Sequence, residues 1–261
     1  MKQIIAMLLA LVMMLALAAC GNATTTETTA AAVETTTAAE ETTAAAEETT
    51  TAAEETEPVE VPVMTHEEFM AAEMEAAVCV ETYVQAHQSW WDNKVTVYCQ
   101  SPDGAYFLYE LACSEEDAAK LEPGTKIKVT GYKTAWEGEV EIVDGTFEFV
   151  EGDAFVAEAT DVTGMTEEEL LAHQNEKVLF KGLTVKKIEY KNGEPGDDIY
   201  VTVAMGETEM SFCVEMYLTG PDTDVYKAFA DLAEGDVVDI EGFLYWYQGV
   251  NTHVTAVTPA A

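Results

Sequence analysis

The chain has 261 residues, 49 of them Asp or Glu and 12 of them basic, for a formal net charge of −37 at pH 7. All of the basic residues are Lys. Without Arg there is no bidentate fork for phosphate, and an acidic excess spread over the whole chain repels anionic polymers, so dense nucleic-acid or nucleotide recognition starts at a disadvantage.

The first twenty residues read as an address label. Lys2 supplies a positive start, residues 4–16 form an unbroken apolar run too short to span a membrane comfortably, and "LAAC" follows at 17–20. This resembles the signal of bacterial lipoproteins, which implies that residues 1–19 are removed and Cys20 is lipidated, anchoring the protein to the outer face of the cytoplasmic membrane. Acyl chains hold there because each buried methylene contributes about 0.8 kcal/mol. An ordinary secretory signal with an incidental Cys20 is the alternative.

Residues 20–63 are a tether. From 28 to 55 the sequence beats in sevens, "TTAAAVE", "TTTAAEE", "TTAAAEE", "TTTAAEE", yet no position carries the large apolar side chain that a coiled-coil seam needs. Thr, Ala and Glu cannot offset the entropy of ordering, so the segment is expected to be disordered, with a contour limit of about 3.3 Å per residue.

The folded region starts twice in the same way. "MTHEEFMAAE" at 64–73 and "MTEEELLAHQ" at 165–174 place Thr65 ahead of Glu68 and Thr166 ahead of Glu169, capping boxes that open short helices. Behind the first come period-two runs, "AVCVETYV", "KVTVYCQ" and "AYFLYELAC", then a Ser-capped helix "SEEDAAKL", then "TKIKVTGY" and "GEVEIVD". The second copy repeats the order with "EKVLFKGLTV", "DIYVTVAM", "TEMSFCVEMYL", "DVYKAFADL", "GDVVDIEGF" and "VNTHVTAV". Over the last third the copies align without a gap at a spacing of 111 residues: Leu121 with Leu232, Gly124 with Gly235, Gly131 with Gly242, Trp136 with Tyr247, Gly138 with Gly249.

Three strands, a helix and two strands is the order of the OB fold, a small Greek-key barrel that binds oligonucleotides and oligosaccharides. "LEPGTKIKVTGYKTAWEGEVEI" resembles the region of strands four and five in OB-like domains of exported bacterial lipoproteins, particularly those of Gram-positive anaerobes. The expected fold is mainly β: two tandem five-stranded OB-like barrels, at 64–155 and 156–261, each preceded by a short helix and with a helix between strands three and four.

Ligands of OB folds meet strands two and three between the one–two and four–five loops. In the first copy those loops are "QAHQSWWDN", with Trp90 and Trp91, and "KTAWEG", with Trp136 and with Tyr132 just ahead of it. In the second, "YWYQG" supplies Tyr245, Trp246 and Tyr247. These seven are the candidate ligand-binding residues, because an exposed ring stacks on a sugar face or a base, although aromatic side chains also fill cores. Lys126, Lys128 and Lys133, and in the second copy Lys186, Lys187 and Lys191, are the candidate positive strips, with Glu139 and Glu141 as their expected partners.

The parts for catalysis are missing from the sequence. His66, His87, His173 and His253 are scattered, and no G-x-S-x-G, H-E-x-x-H or phosphate-binding loop occurs. Cys79, Cys99, Cys113 and Cys213 form no C-x-x-C pair and read as buried thiols, with a Cys79–Cys99 bridge as the alternative for an exported chain. No catalytic residue, metal or cofactor is expected. The sequence therefore indicates a lipid-anchored, non-catalytic binding module for glycan or for another envelope or exported protein; the alternative is an extracellular single-stranded nucleic-acid-binding OB protein.

Overall fold

The computed structural model describes residues 61–260. The signal segment, Cys20 and nearly all of the tether lie outside the described residues.

Thr65 caps α1 (His66–Ala71) with the reciprocal Glu68 bond of a full capping box. The first barrel follows: β1 (Ala77–His87), β2 (Lys94–Ser101), β3 (Gly104–Ala112), α2 (Glu115–Ala118), β4 (Lys126–Trp136) and β5 (Glu139–Phe149). Neighbouring strands run β1-β2-β3-β5-β4, and β4 pairs back onto β1 to close the ring. Alternate residues point inward, so Val78, Val80, Val97, Leu108, Ile127, Val129 and Ile142 form one buried core. Phe69 of α1 packs on that core, as do Ala118 and Leu121 of and after α2. A fully buried aliphatic side chain contributes roughly 1.5–3 kcal/mol to such a core.

The second copy repeats the plan with β6 (Thr160–Asp161), α3 (Glu167–Leu171), β7 (Lys177–Tyr190), β8 (Ile199–Met205), β9 (Thr208–Val214), α4 (Asp224–Asp231), β10 (Val237–Phe243) and β11 (His253–Pro259). Its order is β10-β11-β9-β8-β7, with β10 returning to β7 and the two-residue β6 added beside β7. Thr166 and Glu169 again form a capping box. The aligned glycines do the same work in both copies. Gly131 and Gly242 sit at register shifts where a Cβ would fall 2.7 Å from Ile142 Cγ2 or 2.4 Å from the His253 carbonyl oxygen. Gly124 and Gly235 share left-handed φ angles of 91° and 96°.

Four sequence expectations change. The strand expected to stop at Tyr132 runs on to Trp136, so the four–five connection shrinks to Glu137 and Gly138, both at positive φ as a tight hairpin turn demands. β7 likewise continues to Tyr190, beyond the end of the expected strand "EKVLFKGLTV". Lys133 belongs to no surface strip. It is 3% exposed, and its Nζ donates to the carbonyls of Met70 at 2.7 Å and Ala72 at 2.8 Å, satisfying the C-terminus of α1. Glu139 and Glu141 are buried without a lysine partner, while Lys126 pairs with Glu81, Lys187 with Glu189, and Lys191 with Asp197 and Asp198. The four cysteines are free and buried.

The barrels dock along a seam of their own. Tyr98 stacks on Phe243 at 4.6 Å between ring centroids, Phe107 meets Tyr245 edge-on at 5.1 Å, and Tyr245 stacks on His253 at 4.2 Å. Polar bonds cross beside them: Ser89 N to the Tyr217 carbonyl at 2.8 Å, Lys177 N to Gln100 Oε1 at 2.8 Å, and Gln174 Nε2 to the Gly138 carbonyl at 2.9 Å.

Candidate functional site

The one–two connection of the first barrel is shaped by four residues, "WDNK". Trp91 and Lys94 exchange two backbone bonds, at 3.0 and 2.9 Å, around Asp92 and Asn93, whose φ angles are 45° and 60°. Positive φ at both central positions is the geometry of a type I′ hairpin turn, which Asp and Asn tolerate better than other side chains. The turn holds Trp91 out at 77% exposure. Its neighbour Trp90 points the opposite way, packing on the first core and donating Nε1–H to the Cys113 carbonyl at 2.9 Å.

Beside this turn β3 carries a bulge. Val95 faces Leu111 and Val97 faces Leu108, so Tyr109 and Glu110 together oppose the single residue Thr96. Glu110 takes a left-handed φ of 49°, and its N–H finds the Thr96 hydroxyl at 3.2 Å. Non-glycine residues in that region are uncommon, and strain of this kind gathers at binding sites. The bulge turns two consecutive side chains outward: Tyr109 is exposed, and Glu110 receives the Lys94 ammonium at 2.7 Å.

The third wall comes from the other barrel. Glu215, after β9, accepts the Leu218 N–H at 2.7 Å, and its carbonyl accepts the Thr219 N–H at 2.8 Å, which fixes the turn bearing exposed Tyr217. Burial pushes the Glu215 carboxyl up to about 7. The Ser89 amide and hydroxyl both donate to the Tyr217 carbonyl, at 2.8 and 3.3 Å.

Between Trp91, Tyr109 and Tyr217 lies a groove of about 290 Å³ whose polar lining is Gln88, Ser89, Thr96 and the Lys94–Glu110 pair. A second hollow of about 500 Å³ shares Lys94, Tyr109 and Glu110 and continues over Asp144, Gly145 and Thr146 of β5. Together they make a track longer than a single ring, with the ion pair at its midpoint. The lining of the first groove has aromatic faces, hydroxyls, an amide and a self-neutralised charge pair; the second hollow adds the carboxylates of Asp92 and Asp144.

Of the seven aromatic residues singled out in the sequence, the structure brings only Trp91 to this groove. Trp90 anchors the turn. Trp136, at 59% exposure, and Tyr132 stand on the outer surface of β4, away from Trp91's groove. Tyr245 is part of the seam, and Trp246, 8% exposed, belongs to the second core. Tyr247 lines a separate hollow with Met165, Met205 and Met210. Tyr109 had a sequence signal that the simple alternation missed: Leu108 and Leu111 are apolar residues three apart in a strand, which requires an extra residue between two inward positions. Tyr217 had none, because its place depends on how the barrels meet.

No protein-family model matches the chain, and no match is found among curated proteins. Among solved structures it is similar to a murine DNA-binding protein bound with double-stranded DNA, at 12% identity and a TM-score of 0.34, covering 70% of this chain and 96% of that one. It is also similar to a replication protein A heterotrimer bound to single-stranded DNA, at 10% identity and TM-score 0.31, covering 71% and 49%. A third is a deletion mutant of the single-stranded DNA binding protein from Thermus aquaticus, at 13% identity and TM-score 0.24, covering 71% and 94%. The OB assignment stands on the chain's own strand order and barrel closure.

Proposed function

We propose that the docked barrels form one non-catalytic binding module and that its ligand is an uncharged saccharide chain laid over Trp91, Tyr109 and Tyr217. One observation carries this reading: three exposed rings from two barrels surround a groove whose only charges, Lys94 and Glu110, neutralise each other. Flat apolar faces flanked by hydroxyl and amide groups suit a sugar ring, which has apolar faces and a polar edge. The track beyond Tyr109 suits a second residue of the same chain. Lipidation at Cys20, with the barrels carried outside the cell on the Thr-rich tether, belongs to the same proposal and is supported by the "LAAC" signal.

Single-stranded nucleic acid is the second reading, favoured by the groove's position over β2 and β3, where OB folds take oligonucleotides. The same rings would stack bases, at about 1–3 kcal/mol each. Charge opposes it. Seven described lysines are held in ion pairs with carboxylates, Lys133 is buried, and Lys227 Nζ rests on the Asp222 carbonyl, which leaves Lys128 and Lys186. Phosphate binding depends on releasing counterions with such cations.

The test is a glycan array probed with residues 61–261, alongside single-stranded DNA under the same buffer. Oligosaccharide retention that Trp91→Ala abolishes supports the reading; retention of DNA alone replaces it with the second; retention of an exported protein in a pull-down, with neither sugar nor DNA bound, rejects both.

A further inference from the structure

The contact between the barrels contains carboxyl groups that face no cation. Glu139 of β5 is 0% exposed. Its Oε2 accepts the Trp246 N–H at 2.8 Å across the seam, while Oε1, also buried, has no hydrogen-bond partner. Glu141, two residues on and therefore on the same face of the strand, is 7% exposed.

The groups around this pair are neutral or acidic. Glu141 is the charge that acts on Glu139, and both act on the Tyr245 phenol, with Tyr109 and Tyr247 behind it. From the second barrel, the Asn175 side chain reaches the Glu139 carboxyl, which favours its ionised form, and donates to the Val140 carbonyl at 3.1 Å, while Gln174 donates to that of Gly138 at 2.9 Å; burial outweighs both Asn175 and the Trp246 N–H. From β4, Trp136 and Thr134 stand opposite the two glutamates. Glu137, on the turn, is exposed and held by Gln248 at 2.8 Å. Ionising Glu139 here would place a charge in a fully buried seam beside a second carboxyl and with no cation facing it, the arrangement in which a buried acid keeps its proton.

We propose that the barrels stay docked only while Glu139 and Glu141 hold their protons, so that the groove both barrels build is a proton-gated site, assembled at mildly acidic to neutral pH and opened by alkali. The gating of a ligand site rests on the reading of the groove above; the gating of the seam does not.

Burial pushes Glu139 up to about 8 and Glu141 up to about 7. In separated barrels both would meet water and titrate near the ordinary carboxylate value. For acids raised on docking, the advantage of the docked state is complete below that ordinary value. It is lost as pH climbs through the docked values, by up to tenfold in the docking equilibrium per pH unit and per group. The barrels remain joined through residues 150–159, so opening is a change of contact and not a dissociation.

Hydrogen exchange on the full chain without ligand, from pH 5.5 to 9 and corrected for intrinsic rates, reads this directly. Amides that cross the seam include Ser89 to Tyr217, Trp246 to Glu139, Lys177 to Gln100 and Gln248 to Glu137. Their protection is expected to fall at least tenfold between pH 6 and 9, while core amides of both barrels keep theirs and the E139Q/E141Q variant keeps the Trp246 and Lys177 amides protected at pH 9; the Ser89 amide, whose acceptor turn is held by the buried Glu215, is not used to judge the variant. Constant seam protection, loss shared equally by the cores, or a double variant that responds like the parent overturns the proposal. If the double variant does not fold, E141Q alone decides, and an unshifted midpoint rejects it. Because no sugar is present, failure of the saccharide reading leaves this result untouched.

Discussion

The hydroxyl of Tyr98, on β2 of the first barrel, lies 2.6 Å from Nδ1 of His253, the first residue of β11 in the second. Gln88 Nε2 donates to the same hydroxyl at 3.2 Å, which leaves the phenolic proton for the imidazole. Gln88, which lines the groove, is thereby linked through Tyr98 to His253 in the seam of the other barrel.

His253 sets an acid limit on the fold. Burial lowers it to about 3. A histidine depressed in this way stabilises the fold fully above its ordinary value near 6.5 and progressively less as pH falls toward 3, by at most about 1.4 kcal/mol per unit. The buried glutamates act with the opposite sign, losing stability from their ordinary range upward. Above the ordinary carboxylate value two or more glutamates outweigh the one histidine, so urea melts across pH are expected to peak at about 4.5. Tyr98→Phe, which leaves Nδ1 unpaired, should lower stability by about 1–3 kcal/mol at that peak.

Lys133 is a structural cation. Its ammonium closes the carbonyls of Met70 and Ala72 and lies 5.4 Å from the Phe69 ring centroid. Lys133→Ala should cost about 2 kcal/mol, or roughly 5 °C in Tm by scanning calorimetry. An unchanged Tm would show that water takes over both carbonyls at no cost.

The duplicated glycines separate two kinds of constraint. Gly131→Ala and Gly242→Ala force a methyl group into backbone and side-chain atoms and should each lose about 1–3 kcal/mol or more. Gly235, at φ 96° with nothing within 4 Å of where a methyl would sit, carries only backbone strain, and Gly235→Ala should cost about 1 kcal/mol. Denaturant midpoints rank the three.

How far the sequence can be read follows a similar division. Capping boxes at Thr65 and Thr166, alternating apolar runs and paired glycines are local signals, and they yielded two barrels in the right order. What they could not yield depends on register and docking. Trp90 and Trp91 are chemically identical neighbours separated only by which face of the chain each occupies. The "KTAW" stretch reads as a polar loop yet pairs with β5 to its end, because Lys133 finds its partners in a helix more than sixty residues earlier. Glu139 and Glu141 look like surface acids until the second barrel covers them. Tyr217 becomes a wall of the groove only through its carbonyl bond to Ser89.

Phosphate polymers should bind weakly and without selectivity. Filter binding of single-stranded DNA at low salt is expected to show no retention at micromolar protein, and adding salt should change nothing, since so few lysines remain for counterion release. Retention with a steep salt dependence would favour the second reading.

The most direct measurement is titration of an array-selected oligosaccharide, followed by calorimetry, into the parent chain and into Trp91→Ala, Tyr217→Ala and Trp136→Ala. The two groove variants, one in each barrel, are expected to weaken binding at least tenfold, with Trp136→Ala unchanged. Loss in Trp136→Ala while Trp91→Ala and Tyr217→Ala bind normally would contradict a groove shared by the two barrels.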